Sequence, residues 1–146
     1  SLVRKIFTEI EKKNPAEFQT MVANREQLIA TWLNPTRIYH EIPKLLEAAR
    51  IKGIAHITGG GIYENLPRAI APGLCTVVEN PEPFRLKAAP VLEKHVERDK
   101  LFHTFNMGIG IILVAEESEL AKIRSHYPEA SVIGKLTQGQ GVTLKL

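Results

Sequence analysis

At 146 residues the chain has the length of one domain built on a single core, and 44% hydrophobic with 24% charged residues is ordinary for a globular protein. Its net charge of +3, from 19 basic and 16 acidic residues, is scattered without a basic arm, and no apolar stretch reaches the ~20 residues of a membrane span, so neither nucleic acid nor membrane is expected as a partner. The single cysteine, Cys75, excludes an internal disulfide and fits a reducing cytosol, so the expected location is cytoplasmic.

Leu2, Val3, Ile6 and Ile10 share a helical face opposite Lys5, Glu9 and Lys12, and Asn14-Pro15 is expected to end that helix. Asn24 with Gln27 resembles a capping box opening a short helix that buries Leu28, Ile29 and Trp32, closed by Asn34-Pro35. Residues 36–40 look extended. Ile42, Leu45, Leu46 and Ala49 then follow helical spacing, with Pro43 tolerated in the first turn. Gly53 to Ile57 reads as a short apolar strand. Ile62, Leu66, Ala69 and Ile70 mark the next helix, where Pro67 must sit in the first turns or kink it, and Gly73 stops it.

Leu74 to Val78 is strand-like, and Glu79 to Pro83 is a loop stiffened by two prolines. Val91, Leu92, His95 and Val96 mark a helix, Met107 to Val114 the most apolar strand, and Leu120, Ile123 and Tyr127 a helix ended near Pro128. Ser131 to Leu136 and Val142 to Leu146 are expected to pair as a closing hairpin across residues 138–141. The expected fold is α+β, a mixed sheet layered with helices.

Between the strand at 53–57 and the helix from Ile62 lies Thr58-Gly59-Gly60-Gly61. Without Cβ atoms, this backbone can take positive φ and approach a ligand closely. The unpaired amides of the following helix end point back at it, which suits an anion such as a phosphate. A tight strand-to-helix turn with no ligand is the competing reading.

Four segments, residues 35–39, 55–61, 64–68 and 104–110, together resemble the C-terminal half of phosphoribosylformylglycinamidine cyclo-ligases, the aminoimidazole ribonucleotide synthetases. The resemblance runs from Ser1 to the last strand. Selenophosphate synthetases and hydrogenase-maturation dehydratases, relatives in the same superfamily, usually carry Asp where this chain has Ile57. The resemblance implies an ATP-dependent ring closure of formylglycinamidine ribonucleotide in purine biosynthesis. It also implies a homodimer, with ATP and Mg²⁺ handled mainly by an N-terminal half. The chain opens in helical pattern without methionine, so residues 1–146 are expected to be one domain, the C-terminal half of a longer two-domain enzyme, inactive alone.

Within that frame Thr58, Gly59, Gly60 and Gly61 are candidates to hold the ribonucleotide 5′-phosphate or a phosphate of ATP. Arg68 could add a guanidinium fork or remain a surface residue. Asn65 could read an amidine or formamide edge, or instead bridge the glycine loop. Arg37 could pair with a phosphate or lock a carboxylate, and Glu64 reads as a solvated first-turn acid. Asn106 is expected to fix a turn, and His56 to be a satisfied core histidine. His103 stands where the resembled family has Arg, which leaves any anion contact there open. The other histidines and Cys75 show no metal-ligand spacing, and no catalytic residue is assigned. The alternative function is a non-catalytic binding or dimer-assembly module of the same superfamily.

Overall fold

The computed structural model describes residues 1–80 and 83–145; Pro81 and Glu82 of the expected loop and Leu146 of the expected final strand lie outside the described residues. Helix α1 (Leu2–Lys13) forms on the stripe read from sequence, with Ile6 and Ile10 buried and the Ser1 hydroxyl accepting from the Arg4 amide. Asn14 then serves two helices. Its amide donates to the Ile10 carbonyl, and its side-chain oxygen accepts from the Glu17 amide at the start of α2 (Pro15–Ala23). Pro15 therefore begins a helix as well as ending one, as its missing donor permits at a first helical position. No α2 residue is fully buried, so its apolar pattern is blurred.

Asn24 caps α3 (Arg25–Trp32) by accepting from the Gln27 amide at 3.0 Å. Leu28 and Trp32 are half-buried, but Ile29 is 44% exposed, not buried as expected. Phe7 meets both Phe18 and Trp32 edge-on, joining the three helices. Helix α4 (Ile42–Ala48) packs Leu45, with Ala49 just past its end, against Ile123 and Tyr127, forming a satellite core. Leu46, expected on the same face, is 49% exposed.

Strand β1 (Ile51–His56) pairs antiparallel with β3 (Ile111–Ala115), His56 opposite Ile111. Helix α5 (Gly61–Asn65) changes to a 3₁₀ turn at Leu66–Ala69, where Pro67 has no amide to continue the α ladder. Two short helices follow β2 (Leu74–Val78): α6 (Ala89–Leu92), shorter than the helix expected there, and α7 (Arg98–Phe102), which had no sequence signal of its own. β3 starts at Ile111 rather than Met107. Met107 (φ 51°) and Gly108 (φ 97°) form a left-handed turn, held by the Asn106 carboxamide oxygen accepting from the Gly108 amide at 3.0 Å.

Helix α8 (Leu120–His126) forms as expected, but the closing hairpin does not. β4 (Gly134–Gln138) and β5 (Gly141–Leu144) lie on opposite sides of β2, in the order β4-β2-β5. β2 runs antiparallel to β4 and parallel to β5. The link crosses the end of β2, where the Gly139 amide donates to the Gly73 carbonyl at 3.0 Å. Central placement gives the apolar strand β2, with Val78 wholly buried, a partner on each edge; a hairpin would have left its backbone groups open. The fold is α+β, with an antiparallel pair, a mixed three-stranded sheet and helices around a core that includes Ile57, Ile62, Leu66, Val78 and Phe102. Among the described residues no helix is long and apolar enough to cross a membrane.

Candidate functional site: the glycine loop after β1

The Ile57 amide donates to the Gly110 carbonyl at 2.8 Å, fixing the end of β1 to the lead-in of β3. Because Ala55 and Ile57 take the buried face, the side chain between them must point outward. His56 is accordingly exposed and meets Tyr39 edge-on with ring centres 6.1 Å apart; it is not the core histidine expected from its apolar neighbours.

The chain then turns. Thr58 and Gly59 are exposed, Gly60 sits at φ 87° and Gly61 at φ 58°, and the Gly61 amide donates to the Thr58 carbonyl at 3.0 Å. Gly61 also has no room for a side chain, since a Cβ there would fall 1.8 Å from the Phe102 carbonyl oxygen. The Asn65 carboxamide nitrogen donates to the carbonyls of Gly59 at 3.1 Å and Gly61 at 2.8 Å. This is the bridging role left open for Asn65 by the sequence. The amides of Gly59 and Gly60 have no acceptor among the described residues. Two free donors in an exposed turn can accept an anion without displacing any internal bond.

The charges around the loop differ. Arg68 is exposed on the 3₁₀ turn and has no carboxylate partner among the described residues. Glu64 is exposed too, with its carboxylate lying over Gly60, where a Cβ would fall 2.3 Å from Oε2. Arg37 is already engaged. It pairs with Glu129 and, at 3.3 Å, with Glu41, and lies over the rings of Tyr39 and Tyr127 at 5.5 and 5.2 Å. The hydrogen bond to Glu129 raises the Arg37 pKa. Its own backbone amide, then Arg37, holds the Glu129 carboxyl below the usual carboxylate range.

With Asn65 bonded to Gly59 and Gly61, all four segments touch. Phe102 and Phe105 carbonyls close on Gly61, the Gly110 carbonyl holds Ile57, and the Tyr39 hydroxyl covers Gly110 so closely that a Cβ there would lie 2.1 Å from it. Asn106 fixes its turn from within.

Sequence reasoning missed a cluster beside the loop. Tyr63 stacks on His103 with centroids 3.9 Å apart and planes 8° apart. The Tyr63 hydroxyl donates to Asp99 at 2.8 Å, and His103 Nε2 lies 3.7 Å from the same carboxylate. Burial, then Asp99, pushes the Tyr63 phenol up to about 12. The available signal was the spacing of Asp99 and His103, one helical turn apart. No group of three or more His, Cys, Asp or Glu side chains suited to a metal ion occurs among the described residues.

The profile of the family described as AIR synthase related protein, C-terminal domain, matches residues 1–146. A protein of Alkaliphilus metalliredigens named phosphoribosylformylglycinamidine cyclo-ligase is 38% identical over 149 residues, covering 95% of this chain and 42% of its own length. One of the same name from Caldicellulosiruptor saccharolyticus is 38% identical, over 97% of this chain and 43% of its own length. Another, from Fusobacterium nucleatum, is 42% identical over 84% of this chain and 36% of its own length. The chain thus spans about two-fifths of the length of the curated relatives it matches. Residues 1–146 belong to the AIR synthase related protein family, as its C-terminal domain.

Proposed function

We propose that this chain is the C-terminal half of an ATP-dependent cyclo-ligase that converts formylglycinamidine ribonucleotide to aminoimidazole ribonucleotide in purine biosynthesis. The named relatives support this reading, and the loop gives it a chemical role. In the reaction, ATP phosphorylates the formyl oxygen, a substrate nitrogen attacks that carbon, and phosphate leaves as the ring closes. This chain's part is to hold a phosphate of the ribonucleotide or of ATP.

The observation that carries the assignment is the pair of amides at Gly59 and Gly60, which have no acceptor among the described residues, in a turn braced by Asn65. Thr58 adds a hydroxyl and Arg68 a guanidinium, which forks onto phosphate oxygens. Gly61 supplies the close turn rather than a donor, its amide being used within the loop. Arg37 acts at one remove, placing Tyr39 over Gly110. In this reading ATP and Mg²⁺ are handled mostly by an N-terminal half, which is also the partner within a homodimeric, cytoplasmic enzyme.

Positioning supplies most of the rate in phosphoryl transfer, so the chain alone is inactive. Mixing it with a separately produced N-terminal half of a relative tests this. Phosphate release from ATP dependent on formylglycinamidine ribonucleotide should need both pieces. Turnover by this chain alone, or none from the complemented pair that forms a stable complex, would overturn the assignment.

A second reading, a domain kept for docking, draws on exposed apolar side chains: Ile38 at 81%, Leu33 at 67% and Val132 at 55%.

A further inference from the structure

Tyr63, Asp99 and His103 lie between the motif segments and join the two elements that meet at Gly61. Tyr63 belongs to α5, which begins at Gly61. Asp99 lies on α7 and His103 directly follows it, next to the Phe102 carbonyl that closes on Gly61. The cluster is thus a clasp across the seam at the base of the glycine loop. Two of its three contacts depend on the charge of His103. An imidazolium attracts the Asp99 carboxylate and the face of the Tyr63 ring, and a neutral imidazole does neither to the same degree. The Tyr63 hydroxyl bond to Asp99 persists in both states.

We propose that Tyr63, Asp99 and His103 form a proton-sensitive latch on the anion loop, which grips its ligand more tightly when His103 is protonated. The proposal rests on the anion-holding reading of Thr58 to Gly61. Imidazole is the side chain whose charge ordinarily changes between pH 5 and 8. Among the described residues, the titratable groups in contact with His103 are Tyr63 from α5 and Asp99 from α7. The other charges of α7 are engaged elsewhere, Arg98 with Glu93 and Lys100 with Glu97. Glu64 faces Gly60 and opposes an anion at either pH. The sign follows: protonation adds a positive charge beside the loop and tightens the seam behind it, so affinity falls as pH rises.

Sulfate is the probe, because its own charge does not change between pH 5.5 and 8. Amide-resolved titrations of the unaltered chain should show affinity at Gly59 and Gly60 about two- to fivefold lower at pH 8, the range an exposed ion pair allows. His103→Arg should stay at the tight value at both pH values, and His103→Gln at the weak value. The glutamine variant also separates His103 from the other four histidines. A flat wild-type affinity, or a His103→Gln protein that keeps the wild-type slope, would reject the latch. Absence of any sulfate shift at Gly59 and Gly60 at both pH values would instead reject the anion loop. In that event amide-exchange protection across α5 in the free protein still decides the latch. Protection at pH 5.5 should be lower in His103→Gln than in wild type, and equal protection rejects it.

Discussion

Asn65 and Gly59 are joined across the glycine turn, the carboxamide nitrogen donating to the Gly59 carbonyl at 3.1 Å while also serving Gly61 at 2.8 Å. One side chain thereby holds two peptide groups of the turn. Asn65→Ala should lose about 1–2 kcal/mol of stability, near 1 kcal/mol for each bond. Sulfate binding at the loop should weaken with it. Urea denaturation and amide-resolved titration check both effects.

Neighbouring glycines should respond very differently to a methyl group. At Gly61 the added Cβ would meet the Phe102 carbonyl at 1.8 Å, at a φ of 58°. Gly61→Ala should therefore destabilise by about 2–4 kcal/mol. At Gly59 nothing lies within 4 Å of the added atom, so Gly59→Ala should change stability by less than about 0.5 kcal/mol. Thermal melts of the two variants provide the comparison.

Glu64 offers a test of the electrostatics without disturbing the turn. Its exposed carboxylate lies over Gly60. Glu64→Gln should tighten sulfate binding about two- to fivefold, as removal of one exposed like charge predicts. Isothermal titration at low salt measures it, and the gain should shrink at high salt.

Much of this arrangement is legible in the amino-acid sequence. The glycine run, the Asn24 cap, the Asn106 turn and the strand at 74–78 each follow from local rules that nothing distant overrides. The misses share a cause. Asn14-Pro15 fits a helix end and a helix start equally well, and only packing makes it both. Residues 131–146 read as a hairpin because neighbours in sequence usually pair, but β2 competes for both strands and wins with its buried edges. His56 sits among apolar residues in sequence, yet strand alternation turns it outward. Arg37 could not be assigned from sequence because its partner Glu129 is 92 residues away.

The Arg37 cluster predicts a pH dependence of folding. Glu129 and Glu41 are each held below the usual carboxylate value by their own backbone amides, and further by Arg37. A lowered folded-state pKa means the unfolded chain binds protons more readily as pH falls. The cluster's contribution is therefore complete above the ordinary value near 4.5 and is lost as pH drops through the lower folded values. Arg37→Met should lower the urea midpoint at pH 6, and the gap from wild type should narrow at pH 3. An equal gap at both pH values would show that Arg37 acts through packing alone.

The central claim is that the turn after β1 receives a phosphate on unpaired main-chain donors, and amide-resolved NMR during addition of ribose 5-phosphate tests it most directly. The Gly59 and Gly60 amide signals should move saturably and ahead of the rest of the chain, with the Gly61 signal, already bonded to Thr58, moving less. Saturation with Gly59 and Gly60 unmoved would contradict the account.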